Sequence, residues 1–288
     1  MFSKKRYIGL FLAFSSGIGF MGSNTLAGVS YQFGTNPLTV STTRFILPAI
    51  VLIWILKKSS LALALPKRIA IISFILGLIA VIYTMALLSA IEVLPLAIAI
   101  LIFYLFPIFT GLMLAAFGWQ KLSLTMTVSS LIAFLGIALA LGVEFTSLNG
   151  WGIICAVTAA TGLATVSIIS SRLMANEDAR LVTLYLSISA TIILIIVCLL
   201  KGGFALPKTD AGWVSIIISQ VFYAYAMIAF FISISLIGAG ETTFYNNIEP
   251  IMAVGVGFLF LDQNLTILQY VGVLIVLIAL LYNGKKAT

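Results

Sequence analysis

Two ionisable side chains, Glu249 and Arg44, lie deep inside long apolar stretches of the sequence. If such a stretch crosses a bilayer, an ionisable group within it is costly and marks a functional site by default. Glu249 lies about eight residues into its stretch, which is roughly 12 Å at 1.5 Å of helical rise per residue. Pro250 follows it, and a proline bends a helix and frees a backbone carbonyl about one turn earlier. A carboxylate beside exposed backbone could bind an amine or carry a proton; the alternative is a glutamate that only holds helices together.

Arg44 lies about seven residues into its own stretch, roughly 10 Å from the opposite end by the same rise. In a hydrocarbon core of roughly 30 Å, Arg44 and Glu249 are then about 8 Å apart in depth. Two interpretations stay open. Either Arg44 receives a substrate carboxylate, or it serves as the counter-ion of Glu249 or extends outward to lipid headgroups.

Amides and phenols complete the candidate site. Several tyrosines lie deep enough in apolar stretches for their hydroxyl groups to need partners, and a subset could surround a quaternary ammonium group or stack on an aromatic substrate. The alternative is that these rings only pack between helices. We predict that the following side chains contact the substrate: Glu249, Asn246, Asn24, Tyr83, Tyr104, Tyr225 and Arg44. We also predict that Pro95, Pro107 and Pro250 are hinges.

The residue types exclude several kinds of chemistry. The chain has no histidine, so Ser-His-Asp triads, histidine-ligated zinc and histidine proton relays are excluded. Cys155 and Cys198 lie in apolar stretches, where a thiol behaves as a small hydrophobe. The letters G-x-G-x-x-G occur at Gly17–Gly22, but a dinucleotide site needs a preceding strand, whereas glycines inside a membrane helix let helices approach closely. We predict no catalytic residue, no metal site and no cofactor, and therefore a protein that is not an enzyme.

The composition explains where these side chains must lie. Of 288 residues, 62% are hydrophobic and 8% are charged, with a mean hydropathy of +1.24. A soluble domain has roughly 25% charged residues because its surface faces water. Apolar stretches of roughly 20 residues, each long enough to cross a bilayer as a helix, recur along the chain. We predict ten membrane-spanning helices at 7–29, 37–56, 69–91, 95–116, 124–143, 151–172, 181–200, 212–236, 241–261 and 266–283.

The net charge of +7, from 15 basic and 8 acidic residues, reflects topology. If the ten helices alternate in direction, nearly all basic residues fall on one side, and Lys201 and Lys208 fall on the other. This asymmetry is the positive-inside pattern, and it predicts that both termini are cytoplasmic. It also argues against nucleic acid as a partner.

The two halves of the chain resemble each other. Placing Pro107 on Pro250, an offset of 143 residues, also places Ala13 on Ala156 and Leu122-Ser123 on Leu265-Thr266. We predict two repeats, 7–143 and 151–283, each with five helices. Because five is odd, the second repeat is inverted in the membrane, the geometry of alternating access. The alternative is a chance match between apolar segments.

Particular segments carry a resemblance to a known family. Residues 19–24 read Gly-Phe-Met-Gly-Ser-Asn, Arg44 follows in the second helix, and residues 92–97 read Glu-Val-Leu-Pro-Leu-Ala. The best match begins at Ile248-Glu249-Pro250 and runs through Asp262 to Tyr270 and Gly272. In these segments the chain resembles the EamA-type ten-helix permeases of the drug/metabolite transporter superfamily. Two departures are Asp262, where the family usually has glutamate, and a first helix without the tryptophan that commonly precedes its Gly-Ser-Asn.

The resemblance implies transport of amino acids, related metabolites or drugs, usually outward. We therefore predict a secondary transporter of small metabolites such as amino acids or related amines, an exporter that works by alternating access. One alternative is an uptake permease for a quaternary amine such as choline, and another is a membrane protein that transports nothing. The expected location is the inner (plasma) membrane, crossed many times. The expected partners are a small-molecule substrate and the lipid bilayer, with the chain acting as a monomer or homodimer.

Overall fold

The structure is a computed structural model, and it describes residues 4–59, 63–121, 123–143, 148–260 and 265–286. Within these ranges the chain forms twelve α-helices, because a backbone in lipid must satisfy its hydrogen bonds inside the segment. In chain order they are α1 (Lys4–Tyr31), α2 (Pro37–Thr43), α3 (Ile46–Lys58), α4 (Lys67–Val93), α5 (Leu96–Phe103), α6 (Phe106–Ala116), α7 (Leu124–Ala140), α8 (Gly150–Leu173), α9 (Ala179–Leu200), α10 (Asp210–Tyr245), α11 (Ile248–Phe260) and α12 (Ile267–Lys286).

Among the described residues, seven helical segments are long and apolar enough to cross a membrane, and three shorter apolar helices accompany them. Two of the seven segments, Pro37–Lys58 and Leu96–Ala116, each contain two consecutive helices. The protein is therefore an all-α, multi-pass membrane protein, as the sequence predicts.

Three apolar segments are interrupted, and a proline accounts for each interruption. Proline has no N–H group, so the carbonyl four residues before it loses its helical partner. Three pairs have this spacing, each with the carbonyl residue first and the proline second: Arg44 and Pro48, Phe103 and Pro107, and Asn246 and Pro250. In each case one helix ends at this carbonyl residue or one residue before it, and the next helix begins two or three residues after it.

The chain reverses direction inside the range of α10. Its 36 residues would form a rod of roughly 54 Å at 1.5 Å per residue. Gly238 instead has φ of 83° and ψ of 164°, a backbone conformation essentially restricted to glycine. The hydroxyl groups of Ser233 and Thr242 lie 2.9 Å apart, whereas nine residues of straight helix would separate them by roughly 13 Å. The last turns of α10 therefore fold back beside the preceding ones and lead into α11.

Small residues let α1 pack closely on α10 and α11. A Cβ atom added at Gly17 would lie 2.5 Å from Ile248 Cγ2, and one at Gly19 would lie 2.9 Å from Ala226 Cβ. The glycines of the G-x-G-x-x-G letters therefore form a helix-packing surface, as predicted. Ser233 adds a buried hydrogen bond to the Gly9 carbonyl at 2.9 Å.

Two large apolar cores fill the molecule. One is built mainly from α3, α4, α9 and α10, and the other from α5, α6, α7, α11 and α12, with α8 contributing to both. The two cores meet at the interrupted helices.

The loops lie at two opposite ends of the helices. At one end Lys208 donates its backbone N–H to the Phe33 carbonyl at 2.8 Å. At the other end Arg6 pairs with Glu241 at 3.1 Å. Between α8 and α9, Asp178 caps α9 and accepts hydrogen bonds from the Arg180 guanidinium, which hold the pKa of Asp178 below its ordinary value. The predicted family position at Asp262 lies outside the described residues.

Candidate functional site

A cavity of about 140 Å³ lies where the two cores meet. Its volume is close to that of the roughly 150 Å³ engineered cavity that holds benzene, so a ring or a compact metabolite fits. Residues of α1, α4, α5, α6, α8, α9, α10 and α11 and of the α2–α3 junction line this cavity. The lining residues are Phe20, Asn24, Arg44, Phe45, Ala80, Tyr83, Thr84, Leu87, Phe103, Phe106, Leu163, Val166, Leu186, Tyr223, Met227, Phe230, Phe231, Asn246 and Glu249.

The helix interruptions lie at the cavity. Each of the three residues that lose a helical partner to a proline, Arg44, Phe103 and Asn246, lines the cavity. Irregular backbone at membrane depth is tolerated where it is buried in protein or lines a cavity. The Asn246 carbonyl accepts a hydrogen bond of 3.0 Å from the Glu249 N–H group instead. The prolines therefore bring three helix interruptions to the wall of a single site.

Glu249 has one hydrogen-bond donor and a second polar side chain close by. Asn24 Nδ2 on α1 donates a hydrogen bond of 2.8 Å to Glu249 Oε1. Tyr104, which is 4% exposed at the α5–α6 junction, lies close to the same carboxylate. A carboxylate inside the molecule needs such donors, because an unpaired buried charge is costly.

Arg44 lies near Glu249 but does not form a direct ion pair with it. Among the described residues the ion pairs within 4.0 Å are Arg6–Glu241 and Arg180–Asp178. Arg44 instead approaches Asn24, with Nη2 at 3.5 Å from Oδ1. The Asn24 amide therefore stands between the two charges, its nitrogen toward Glu249 and its oxygen toward Arg44.

Aromatic rings surround this polar line. The Arg44 guanidinium lies 4.6 Å from the centroid of the Tyr223 ring, a cation–π contact. Tyr223 meets Phe20 and Phe45 edge to face at centroid distances of 5.7 Å and 5.6 Å. The cavity is therefore a mostly apolar and aromatic space with one positive and one negative group on its wall.

Asn246 lines the cavity but also has a structural task. Its side chain is 2% exposed, and Nδ2 donates to Ser16 Oγ at 3.1 Å and to the Ala13 carbonyl at 3.3 Å. These bonds tie the interruption before α11 to α1. Any contact of Asn246 with a bound molecule therefore goes through its side-chain carbonyl or its backbone.

Five of the seven predicted contact residues line the cavity: Glu249, Asn246, Asn24, Tyr83 and Arg44. Tyr104 is buried close to Glu249 but is not a lining residue. Tyr225 is 46% exposed on the outer face of α10, where its hydroxyl donates to Ser15 Oγ at 2.8 Å. Two residues of helix rotate a side chain by about 200°, so Tyr223, which is 7% exposed, faces the cavity in its place. Contrary to the prediction, Tyr225 therefore does not line this cavity.

Two of the three predicted hinges lie at helix interruptions. Pro107 and Pro250 begin the helices that follow two interruptions, whereas Pro95 lies in the turn between α4 and α5 and bends no helix. Sequence reasoning missed Pro48, although its position four residues after Arg44 is the same signal. Tyr223, one of the deep tyrosines, was left out of the predicted contact residues, and the lining phenylalanines were missed. Gly162 on α8 packs closely against α4, because a Cβ atom there would lie 2.6 Å from Tyr83 Cβ.

Ligands for a metal are not gathered in the part of the chain that the structure describes. No group of three or more His, Cys, Asp or Glu side chains there is close enough to hold an ion. Cys155 and Cys198 are both buried and unbonded to each other.

Comparisons with known proteins bear on the whole chain. The model of the EamA-like transporter family matches residues 150–284. A solved structure, described only as the crystal structure of a protein, has a TM-score of 0.77 and 14% identity, with 94% of this chain and 95% of that chain covered. At this identity the likeness shows a shared fold. No curated protein matches the sequence.

Proposed function

We propose that this chain, whose residues 150–284 match the model of the EamA-like transporter family, carries a small metabolite, such as an amino acid or a related amine, through the bilayer by alternating access. The observation that supports this most is the cavity itself. It lies where three helices are interrupted, and its wall holds Arg44 and Glu249 in a mostly apolar and aromatic space. Secondary transporters bind their substrates near the midplane at interrupted helices.

We propose that the chain crosses the membrane ten times. The seven long segments and three shorter apolar helices support this count, as does the reversal at Gly238, which divides α10 between two crossings. With alternating crossings, Lys208 and Phe33 share the outer end and Arg6 and Glu241 share the cytoplasmic end. Both pairs are in contact. The excess of basic residues on the second side supports cytoplasmic termini.

We further propose that the two inverted repeats, 7–143 and 151–283, move against each other. The interruptions after Phe103 and Asn246 are separated by 143 residues, the offset that relates the halves, and each precedes a proline at the matching position. Pro107, Pro250 and Pro48 would be flexible joints during this movement. Export through a bacterial inner membrane is the direction and location that the family resemblance favours.

A pair of variants on one helix tests whether the cavity is the transport site. Ala80 lies on the cavity wall, whereas Ile82, two residues further along α4, is 49% exposed on the outer face. Ala80→Phe places a ring in the cavity, and we expect it to abolish transport of any substrate that the wild type carries. Ile82→Phe adds the same ring on the outer face and should transport at the wild-type rate.

The assay is counterflow into vesicles that contain the purified protein and are preloaded with an unlabelled compound. The compounds would be amino acids, polyamines and choline-like amines. Thermal unfolding of both variants checks that they are folded. Equal transport by a folded Ala80→Phe variant and the wild type would contradict the proposal, and so would the absence of counterflow for all compounds.

A further inference from the structure

The two charged groups on the cavity wall differ in their hydrogen-bond partners. An arginine guanidinium has five N–H donors. For Arg44 the described contacts are one approach to Asn24 Oδ1 at 3.5 Å, at the limit of a hydrogen bond, and the face of Tyr223. Its Nε atom is shielded from solvent and has no hydrogen-bond partner. Arg44 therefore has several donors available and no carboxylate within 4.0 Å among the described residues.

Glu249, in contrast, has a hydrogen-bond donor from the protein. Its carboxylate accepts a hydrogen bond of 2.8 Å from Asn24 and has the Tyr104 side chain close by. Glu249 therefore already has a donor inside the protein, whereas Arg44 has no acceptor with a negative charge among the described residues. What the site lacks is a hydrogen-bond acceptor with negative charge, placed at Arg44.

We propose that Arg44 binds the carboxylate of the transported molecule, and that the rest of this molecule is an aromatic or compact apolar body. This inference rests on the function proposed above and assigns its substrate class. Planar guanidinium groups bind carboxylates through two parallel hydrogen bonds. Phe45, Phe106 and Phe230 lie on the wall of the same cavity as Arg44 and can enclose an apolar body. Glu249 then acts as the internal counter-ion of Arg44 through Asn24.

The same geometry disfavours a permanent cation such as choline. A cage for a quaternary ammonium group needs open aromatic faces, but Arg44 already covers the face of Tyr223 at 4.6 Å. A second positive charge in this space would also be repelled by Arg44. The quaternary-amine alternative is therefore the weaker one.

Three probes of one shape but different charge test the inference. They are 3-phenylpropionate (an anion), phenylalanine (a zwitterion) and phenethylamine (a cation), with choline as a fourth. The measurement is the shift of the thermal unfolding midpoint of the purified full-length protein at millimolar probe. We expect a shift with one or both carboxylates and none with phenethylamine or choline. A shift with phenylalanine alone identifies amino acids, and a shift with both identifies carboxylic acids in general.

Variants connect the binding to Arg44. Arg44→Gln should weaken binding of the carboxylate probes by at least about tenfold, and Arg44→Lys, which keeps the charge without the planar pair of donors, should weaken it less. Arg68→Gln removes an equal charge from an exposed position at the start of α4 and should bind like the wild type. If Arg44→Gln does not fold, Arg44→Lys and the wild-type probe series decide.

The outcomes that contradict this inference can be distinguished from a failure of the proposed transport function. Binding of phenethylamine or choline without either carboxylate overturns the inference, as does carboxylate binding to a folded Arg44→Gln variant at wild-type strength. Binding of no probe overturns it too. If vesicles still show counterflow of a cation, the transport function stands and only the substrate class is wrong.

Discussion

Replacing Glu249 by glutamine should separate net transport from exchange. In the wild type, the Asn24 amide joins Glu249 at 2.8 Å and Arg44 at 3.5 Å, so the empty cavity has one positive and one negative group. The Glu249→Gln side chain keeps the size of the native one and an oxygen that can accept from Asn24, but removes the negative charge. The empty site is then left with the uncompensated charge of Arg44.

The size of the effect follows from the geometry. The two contacts and the Asn24 amide between them separate the charges by roughly 8 Å, and unit charges at that separation attract by about 2 kcal/mol at an effective dielectric constant of about 20. In the Glu249→Gln variant the empty carrier loses this attraction. In the loaded carrier the substrate carboxylate neutralises Arg44 instead. Return of the empty carrier should therefore slow by about 30-fold if the full amount appears in its barrier.

The assay compares two rates in the same vesicles. Net efflux requires the empty carrier to return, whereas counterflow does not. For Glu249→Gln we expect net efflux to fall by about 30-fold, counterflow to fall by less than about threefold, and carboxylate binding to stay equal or become tighter. Equal losses in both rates, or full net efflux by the folded variant, would refute this reasoning.

Three further predictions concern placement and stability. Tyr223→Leu removes the ring beside Arg44 and should lower transport by about fivefold, at a cost of roughly 1 kcal/mol, whereas Tyr225→Phe removes only a hydroxyl outside the cavity and should transport normally; vesicle counterflow measures both. Gly238→Ala should destabilise the protein by about 1–3 kcal/mol because of its positive φ, whereas Gly255→Ala, in a helix with open space at the added Cβ, should not; thermal unfolding compares them. Because hydrogen bonding lowers the pKa of Asp178 in the folded state, its stabilising contribution is present above the unfolded pKa of about 3.9 and is lost as the pH falls through the lower, folded value. Asp178→Asn should remove this part of the acid dependence of unfolding.

Much of the fold could be predicted because lipid imposes a simple rule. Each crossing needs a long apolar helix, and every apolar stretch predicted from the sequence contains helix. The inward positions of Glu249, Asn24 and Arg44 were predictable for the same reason, since polar groups avoid hydrocarbon. Their mutual arrangement was not, because the bridging role of Asn24 depends on how α1 packs against α11.

The facing direction of apolar residues could not be predicted. In a soluble helix the polar face marks the outside, but a membrane helix is apolar toward both lipid and protein. Tyr223 and Tyr225 are therefore equivalent in the sequence, although one faces the cavity and the other faces outward. Pro48 was predictable in principle, because its spacing from Arg44 repeats that of Pro250 from Asn246.

The most direct test of alternating access is the accessibility of one position on the cavity wall from each side of the membrane. Ala80→Cys would be placed in a protein whose two buried cysteines, Cys155 and Cys198, are replaced by alanine. A membrane-impermeant thiol reagent would then be added to either side of vesicles that contain the protein in one orientation. We predict that the new thiol reacts from both sides and that a transported compound protects it from both. Reaction from one side only, whether or not the compound is present, would contradict transport through this cavity.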